Sequence, residues 1–370
     1  MQYDILDELG FKRIINAAGH YTVLGGSQPS SEIYQVMGRA SSYWIDMNEL
    51  QKSAGRYLHS VLSCEDGMVT AGAYSALIIA TSTSMAKRKV PNPKVIIQVP
   101  HVTKYGEAFR AAGADLKQIR RVSDSDSLLN YVDDSTVALA YVLSEKDYEF
   151  SLSDTVKAGG DAGIPTIVDA SLVDPPAGGI KQILDYEPDL VAVSGGKGLC
   201  GPNNTGLLLG KSSLISAARE HGFPNYGIGR GMKVSKEAIA GVIAAVKMAS
   251  EVDEQALVDS WRSNIDSMHG RIIEMPGVKT RVVFPWNLNI PQLIPRLYII
   301  VGEGKEGELK ADKIRENLKN SDPPIITRRP SDTNASANTI IIEGRTLKDE
   351  DYDVLIERLN SNLKQVLGGA

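Results

Sequence analysis

A single lysine, Lys197, stands among glycines in the stretch SGGKGLCGPNNTG (residues 194–206), directly after the apolar run DLVAV. Lysine is seldom buried, so a lone cation on such a turn reads first as a solvated residue. Two other residues change that reading. His101 follows the apolar run VIIQV and Asp169 ends TIVD, so all three lie at the carboxyl ends of predicted buried strands. That edge of an open α/β sheet is where ligands bind. An amine, a carboxylate and a flat aromatic base there match the needs of pyridoxal phosphate. The amine can form an imine with the aldehyde, the carboxylate can keep the pyridine nitrogen protonated, and the imidazole can stack on the ring. A seat for the phosphate is present too. TAGAYSALIIA places Gly72, Ala73 and Tyr74 just before an apolar helix, where unpaired N–H groups and the helix dipole favour an anion. Ser194 can add a hydroxyl. GGKG is not a phosphate-binding P-loop, because Leu199 and Gly201-Pro202 follow instead of a Ser or Thr opening a helix.

Composition narrows the classes. The 370 residues are 42% hydrophobic and 23% charged, with a net charge of −5, which suits a folded chain with at least one large core. The acidic balance argues against broad electrostatic binding of nucleic acid. The start MQYDILDELGFKR lacks a basic segment followed by an apolar one, so no secretory signal is read. No apolar run reaches the length of a membrane span; the best, AIAGVIAAVKMA, is broken by Lys247. Cys64 and Cys200 form no metal or redox motif and the five histidines no metal-binding pair, so no metal and a reducing, cytoplasmic setting are expected.

The elements that must hold the three residues are legible as alternating patterns. Apolar runs at residues 95–99, 137–143, 166–170, 190–194 and 206–210 are separated by helical segments KYGEAFRAAGA, SDTVKAGGDAG and GGIKQILDYEP. Continuous apolar strands between short helices predict an α/β fold with a mostly parallel sheet covered on both faces. The close spacing of the last two runs allows a local antiparallel pair. Residues 16–31 are small, polar and glycine-rich, so they read as a loop or arm outside the core. From Ser235, a candidate N-cap, one long helix or two are predicted, followed by strands KTRVVFP, RLYIIVG, PPIITRR and NTIIIEG of a smaller α+β unit. The resulting division is an arm (1–31), a large domain (32–250) and a small C-terminal domain (251–370).

Several stretches also resemble a known family: INAAG (15–19), WIDMNELQ (44–51), VTAGAYSAL (69–77), SGGKGLCGPNNTGLLLG (194–210), GIGRGMKVSKEAI (227–239), PPIITR (323–328) and GRTL (344–347). They are similar to the fold-type I pyridoxal-phosphate enzymes around bacterial selenocysteine synthase and D-glucosaminate-6-phosphate ammonia-lyase. The resemblance implies a seven-stranded-type sheet, Lys197 as the Schiff-base lysine, Asp169 as the pyridinium partner and His101 as the stacking residue. It implies a phosphate cup at Gly72, Ala73 and Ser194, with Tyr74 beside it. It assigns the substrate carboxylate to Arg345 or Arg328, since a planar guanidinium binds a carboxylate bidentately. Arg230, with Lys233 in GRGMK, is basic enough for a phosphate, and equally suits a solvent-facing position.

The pattern begins at Ile15, so the tRNA-binding domain of the selenium transferase is expected to be absent, and tRNA-linked serine is not the expected substrate. The expected function is α,β-elimination from a free amino acid or amino sugar acid, giving a 2-oxo acid and ammonia. Racemisation, β-replacement, and a non-catalytic cofactor-binding or RNA-associated role are the alternatives. A homodimer or larger homo-oligomer is expected, with the arm and the GRGMK loop reaching toward a neighbouring site.

Overall fold

A computed structural model describes residues 5–99, 105–120, 122–143, 150–285 and 293–368. Its twelve strands, in chain order, are β1 (Ile15–Ala17), β2 (Asp66–Thr70), β3 (Lys94–Gln98), β4 (Asp115–Ile119), β5 (Thr136–Val142), β6 (Thr166–Asp169), β7 (Leu190–Ser194), β8 (Gly206–Gly210), β9 (Val278–Val283), β10 (Arg296–Val301), β11 (Ile325–Thr327) and β12 (Thr339–Glu343). The chain divides into two units. The larger is built on His20–Glu254; the smaller joins the first nineteen residues to Gln255–Pro285 and the chain from Leu293 onward.

The larger unit holds a seven-stranded sheet in the order β2-β8-β7-β6-β5-β3-β4. Strands β3 to β7 run parallel, and β8 is antiparallel to both β7 and β2. Successive side chains in a strand point to opposite faces. Both faces are buried here: Val168, Val191 and Leu207 join one core cluster, whereas their neighbours Ile167, Ala192 and Leu208 join another. Helices therefore cover the sheet on both sides, and all seven positions of β5 are buried. The expected α/β sheet and its close-spaced antiparallel pair are both present.

Two strands of this sheet were not foreseen. β2 (DGMVT) and β4 (DLKQI) carry charged or small residues that break an apolar run, and each lies at a sheet edge, where one side needs no partner.

The smaller unit has an antiparallel sheet ordered β12-β10-β9 and a separate parallel pair, β1 with β11. The segment PPIITRR thus pairs with the N-terminal segment and meets the three-stranded sheet through a bridge of Arg328 with Ile341 of β12. This corrects the reading of residues 16–31 as outside the core. Ile15, Ala17 and Ala18 are fully buried, Ile15 and Ala17 in the smaller unit's core; the strand Ile15–Ala17 is too short for alternation to reveal this in the sequence. From His20 the segment belongs to the larger unit. The long helical stretch is two helices, Lys236–Glu251 and Glu254–His269, and the Ser235 hydroxyl caps the first by accepting from the Ala238 N–H. Among the described residues, no helix is long and apolar enough to cross a membrane, and no group of His, Cys, Asp and Glu could hold a metal.

Candidate active site

Lys197 sits in the loop that joins β7 to β8. The Ser194↔Gly206 pair closes the ladder, and above it the Gly195 N–H donates to Thr205 at 2.9 Å. The turn is tightened by Cys200 N–H to the Lys197 carbonyl (2.9 Å) and Gly201 N–H to the Gly195 carbonyl (2.8 Å). Cys200 takes a left-handed conformation (φ 51°), uncommon for a non-glycine residue. This backbone leaves the Lys197 side chain half-buried, with Nζ 3.4 Å from Ser171 Oγ.

Asp169 ends β6, two strands from β8, and is buried. One oxygen accepts from the Ser171 N–H at 3.0 Å. Burial pushes its acidity toward the neutral form, opposed chiefly by the nearby Lys197 ammonium. A buried carboxylate with one lysine acting on it among the described residues suits a cationic guest.

The helix Gly72–Arg88 follows β2 and starts without a side-chain cap. Gly72 bends the chain sharply at φ 86°, in the left-handed region that favours glycine. A second glycine lets this start approach the sheet: a Cβ on Gly206 would collide with the Gly72 and Ala73 backbone. The uncapped N–H groups of the first turn therefore stand beside the strand that leads out of the lysine loop. Tyr74, in that turn, meets the ring of Tyr105 edge-to-face, centroids 5.8 Å apart. Tyr105 directly precedes the helix Gly106–Ala111, and its ring centroid is 5.6 Å from Lys197 Nζ. Its phenol acidity is suppressed by burial first and by the Asp169 charge second.

The structure thus brings together Lys197, Asp169 and the helix start at Gly72, Ala73 and Tyr74, with Ser194 at the base of the lysine loop. Sequence reading missed Tyr105 and Ser171; the available signal was their position just beyond the ends of β3 and β6. His101 lies outside the described residues. Arg230 belongs to a short 3-10 turn, Ile228–Gly231, its guanidinium over the rings of Phe223 and Tyr226 at 5.4 and 5.2 Å. Arg328 and Arg345 lie in the smaller unit. Both donate to Glu343, which Arg296 also binds.

No family model matches the chain. Among curated proteins it is 26% identical over 377 residues to a Streptomyces 5'-C-glycyluridine monooxygenase-decarboxylase, covering 96% of this chain and 91% of the relative. It is 26% identical over 267 residues to D-glucosaminate-6-phosphate ammonia lyase of Salmonella typhimurium, 67% of this chain and 70% of that one. L-seryl-tRNA(Sec) selenium transferase of Aquifex aeolicus is 24% identical, with 95% and 84% covered. A solved D-glucosaminate-6-phosphate ammonia-lyase superimposes with a TM-score of 0.77 at 21% identity, covering 99% of this chain and all of that one. The chain is a distant homologue of these enzymes, with the fold-type I architecture.

In a fold-type I sheet the order of the strands decides which ends are neighbours, and here β2, β8, β7 and β6 are consecutive. That adjacency places the uncapped helix start, the lysine loop and the buried carboxylate along one stretch of a single edge.

Proposed function

We propose that the protein is a pyridoxal-phosphate-dependent lyase that acts at Cα and Cβ of a free amino acid or amino sugar acid, giving a 2-oxo acid and ammonia. The observation that carries this reading is the grouping of Lys197, Asp169 and Tyr105 beside the uncapped start of the helix Gly72–Arg88. The donor set fits the cofactor. N–H groups of Gly72, Ala73 and Tyr74, with the Ser194 hydroxyl, would hold the phosphate; Asp169 would hold the pyridine nitrogen, whose positive charge offsets the burial of the carboxylate; Lys197 would hold the aldehyde carbon. When bound, the cofactor supplies an electron sink for the charge left at Cα.

The rest is done by the chain. Lys197 Nζ, as the free amine, takes the proton from Cα. The same nitrogen, now protonated and held near Ser171 Oγ, can hand that proton to the departing β-substituent. Asp169, ionised, would face the ring nitrogen and keep that charge paired. Water then releases ammonia from the enamine product and leaves the 2-oxo acid. Arg345 or Arg328 would take the substrate carboxylate. β-Replacement is the second reading, favoured by the near-complete coverage of this chain by the selenium transferase.

The test is direct. Purified protein should be yellow or become so with pyridoxal phosphate, and borohydride should fix the cofactor on the peptide that contains Lys197. Incubation with a panel of D- and L-amino acids and amino sugar acids should give 2-oxo acid and ammonia in equal amounts. Loss of enantiomeric purity without ammonia would replace the lyase by a racemase. A colourless protein that cannot be reconstituted would favour a non-catalytic role. The same reading includes a homo-oligomer, supported by the exposed Tyr226 (93%) and Arg230 on one polar loop. Light scattering that finds a fully active monomer would remove that part.

A further inference from the structure

Three groups that the functional reading uses lie near Tyr105. Tyr74, from the anion-binding turn, lies against its ring at an interplanar angle of 63°. Lys197 Nζ lies 5.6 Å from the ring centroid. Asp169 is close enough for its charge to act on the phenol. A pyridine ring tied by its phosphate to the helix start, by its aldehyde to Lys197 and by its nitrogen to Asp169 therefore has Tyr105 as a neighbour.

The phenol is itself anchored. Thr22 hydrogen-bonds its hydroxyl, and Thr22 opens the short 3-10 turn Thr22–Leu24. Five residues on, the Ser27 N–H donates to the Gly196 carbonyl and the Ser27 hydroxyl to the Gly201 carbonyl, each at 3.0 Å. Residues 22–27 thus run from Tyr105 to both flanks of Lys197. Val23, within this stretch, is 85% exposed, so the strap is held less by apolar burial than by these polar contacts.

We infer that Tyr105 is an aromatic wall of the cofactor slot and that Thr22 is the positioning residue that sets its ring. This rests on the pyridoxal-phosphate reading and adds to it two residues that act on the ring and not on the proton transfer. Burial and the Asp169 charge keep the phenol neutral, and a neutral ring held in place by Thr22 presents the π-surface a stacking partner needs.

The experiment titrates pyridoxal phosphate into cofactor-free full-length protein, followed by absorbance and by circular dichroism of the cofactor band. Tyr105→Ala and Tyr105→Leu should each weaken binding roughly ten- to hundredfold, the scale of losing one stacking face. Tyr105→Phe keeps the ring and should stay within about threefold of wild type, with Thr22→Val shifted by about two- to tenfold, as for one neutral hydrogen bond. The bound-cofactor dichroism should fall in Thr22→Val, a change that a merely structural loss would not produce at unchanged thermal midpoint. Wild-type protein that takes up no cofactor would fail the functional reading. Wild type that binds it, with Tyr105→Leu bound equally well and with equal dichroism, would overturn this inference alone. Should Tyr105→Ala not fold, the Leu and Phe variants decide.

Discussion

Two buried carboxylates divide the chemistry of this chain. Asp169, in the larger unit, accepts one backbone N–H from Ser171 and feels one lysine. Glu343, in the smaller unit, is fully buried and accepts from Arg345 Nε at 2.6 Å, Arg296 Nε at 2.9 Å and Arg328 Nη1 at 3.4 Å. Among the described residues the first feels a single cation, the second three. Burying a charge is costly unless it is matched, so a poorly matched carboxylate persists where a guest supplies the match. A carboxylate gripped by three guanidiniums has no such need and serves as a tie within its unit. The difference bears on the substrate clamp as well: a substrate carboxylate bound by Arg345 or Arg328 would meet guanidiniums that already hold Glu343.

The largest effect should come from removing the cation that faces Asp169. Lys197→Ala is expected to lower turnover by at least about a thousandfold, since the proposed function gives this residue both covalent attachment and proton transfer. Stability should change by no more than about 0.5 kcal/mol, because the turn is held by backbone bonds. Rate assays and thermal melts check both, and a variant with near wild-type turnover would break the comparison at its active end.

Breaking the other end should cost stability. Glu343→Ala leaves three guanidiniums buried around an empty place, and a loss of about 3–5 kcal/mol is expected from denaturant unfolding. A variant as stable as wild type would mean that the arginines rearrange onto other partners.

Asp169→Asn should behave in the opposite way. Exchange of the substrate Cα proton with solvent deuterium should slow by roughly a hundredfold or more, as a neutral amide no longer holds the ring nitrogen protonated. Stability of the cofactor-free protein should hold or rise. The raised pKa of Asp169 means that the folded chain keeps this proton while the unfolded chain releases it. Its contribution is therefore full below the ordinary carboxyl range and is lost as pH rises through the raised value. Asn has no proton to lose, so its advantage over wild type should grow from acid to neutral pH.

Cys64 sharpens the contrast most finely, as a buried acid under the charge of the Asp66 carboxylate. Burial, with Asp66 adding to it, lifts its thiol from 9.0 to about 11. The folded state then holds the proton where the unfolded chain has released it, so this contribution is present below pH 9 and lost toward pH 11. Cys64→Ala should flatten that part of the stability profile, and a native thiol titration should find Cys64 slow to react near pH 8.

Much of the active edge was legible because parallel strands buried on both faces read as unbroken apolar runs. The ends of those runs located Lys197 and Asp169 without any knowledge of contacts. β2 and β4 were invisible for the same reason in reverse, since their edge positions tolerate Asp66, Asp115 and Lys117. The Thr22 bond to Tyr105 and the grip of Arg296 on Glu343 join residues far apart in the chain, and no local pattern announces such pairs. The burial of Ile15 and Ala17 was hidden because a three-residue strand has no period to read.

The place of β2 at the edge of the sheet has a consequence for how the protein is made. β2 enters the sheet only through β8, pairing Val69 with Leu207. The intervening strands can form while the chain is still emerging, but the helix start at Gly72 gains its neighbour at Gly206 only after synthesis has passed Gly210. Such distant pairing is slow to form, and domains of this kind fold as they leave the ribosome. On the proposed reading, a nascent chain would therefore display Asp169 well before its phosphate seat is built, and cofactor capture would wait until the larger unit is nearly complete.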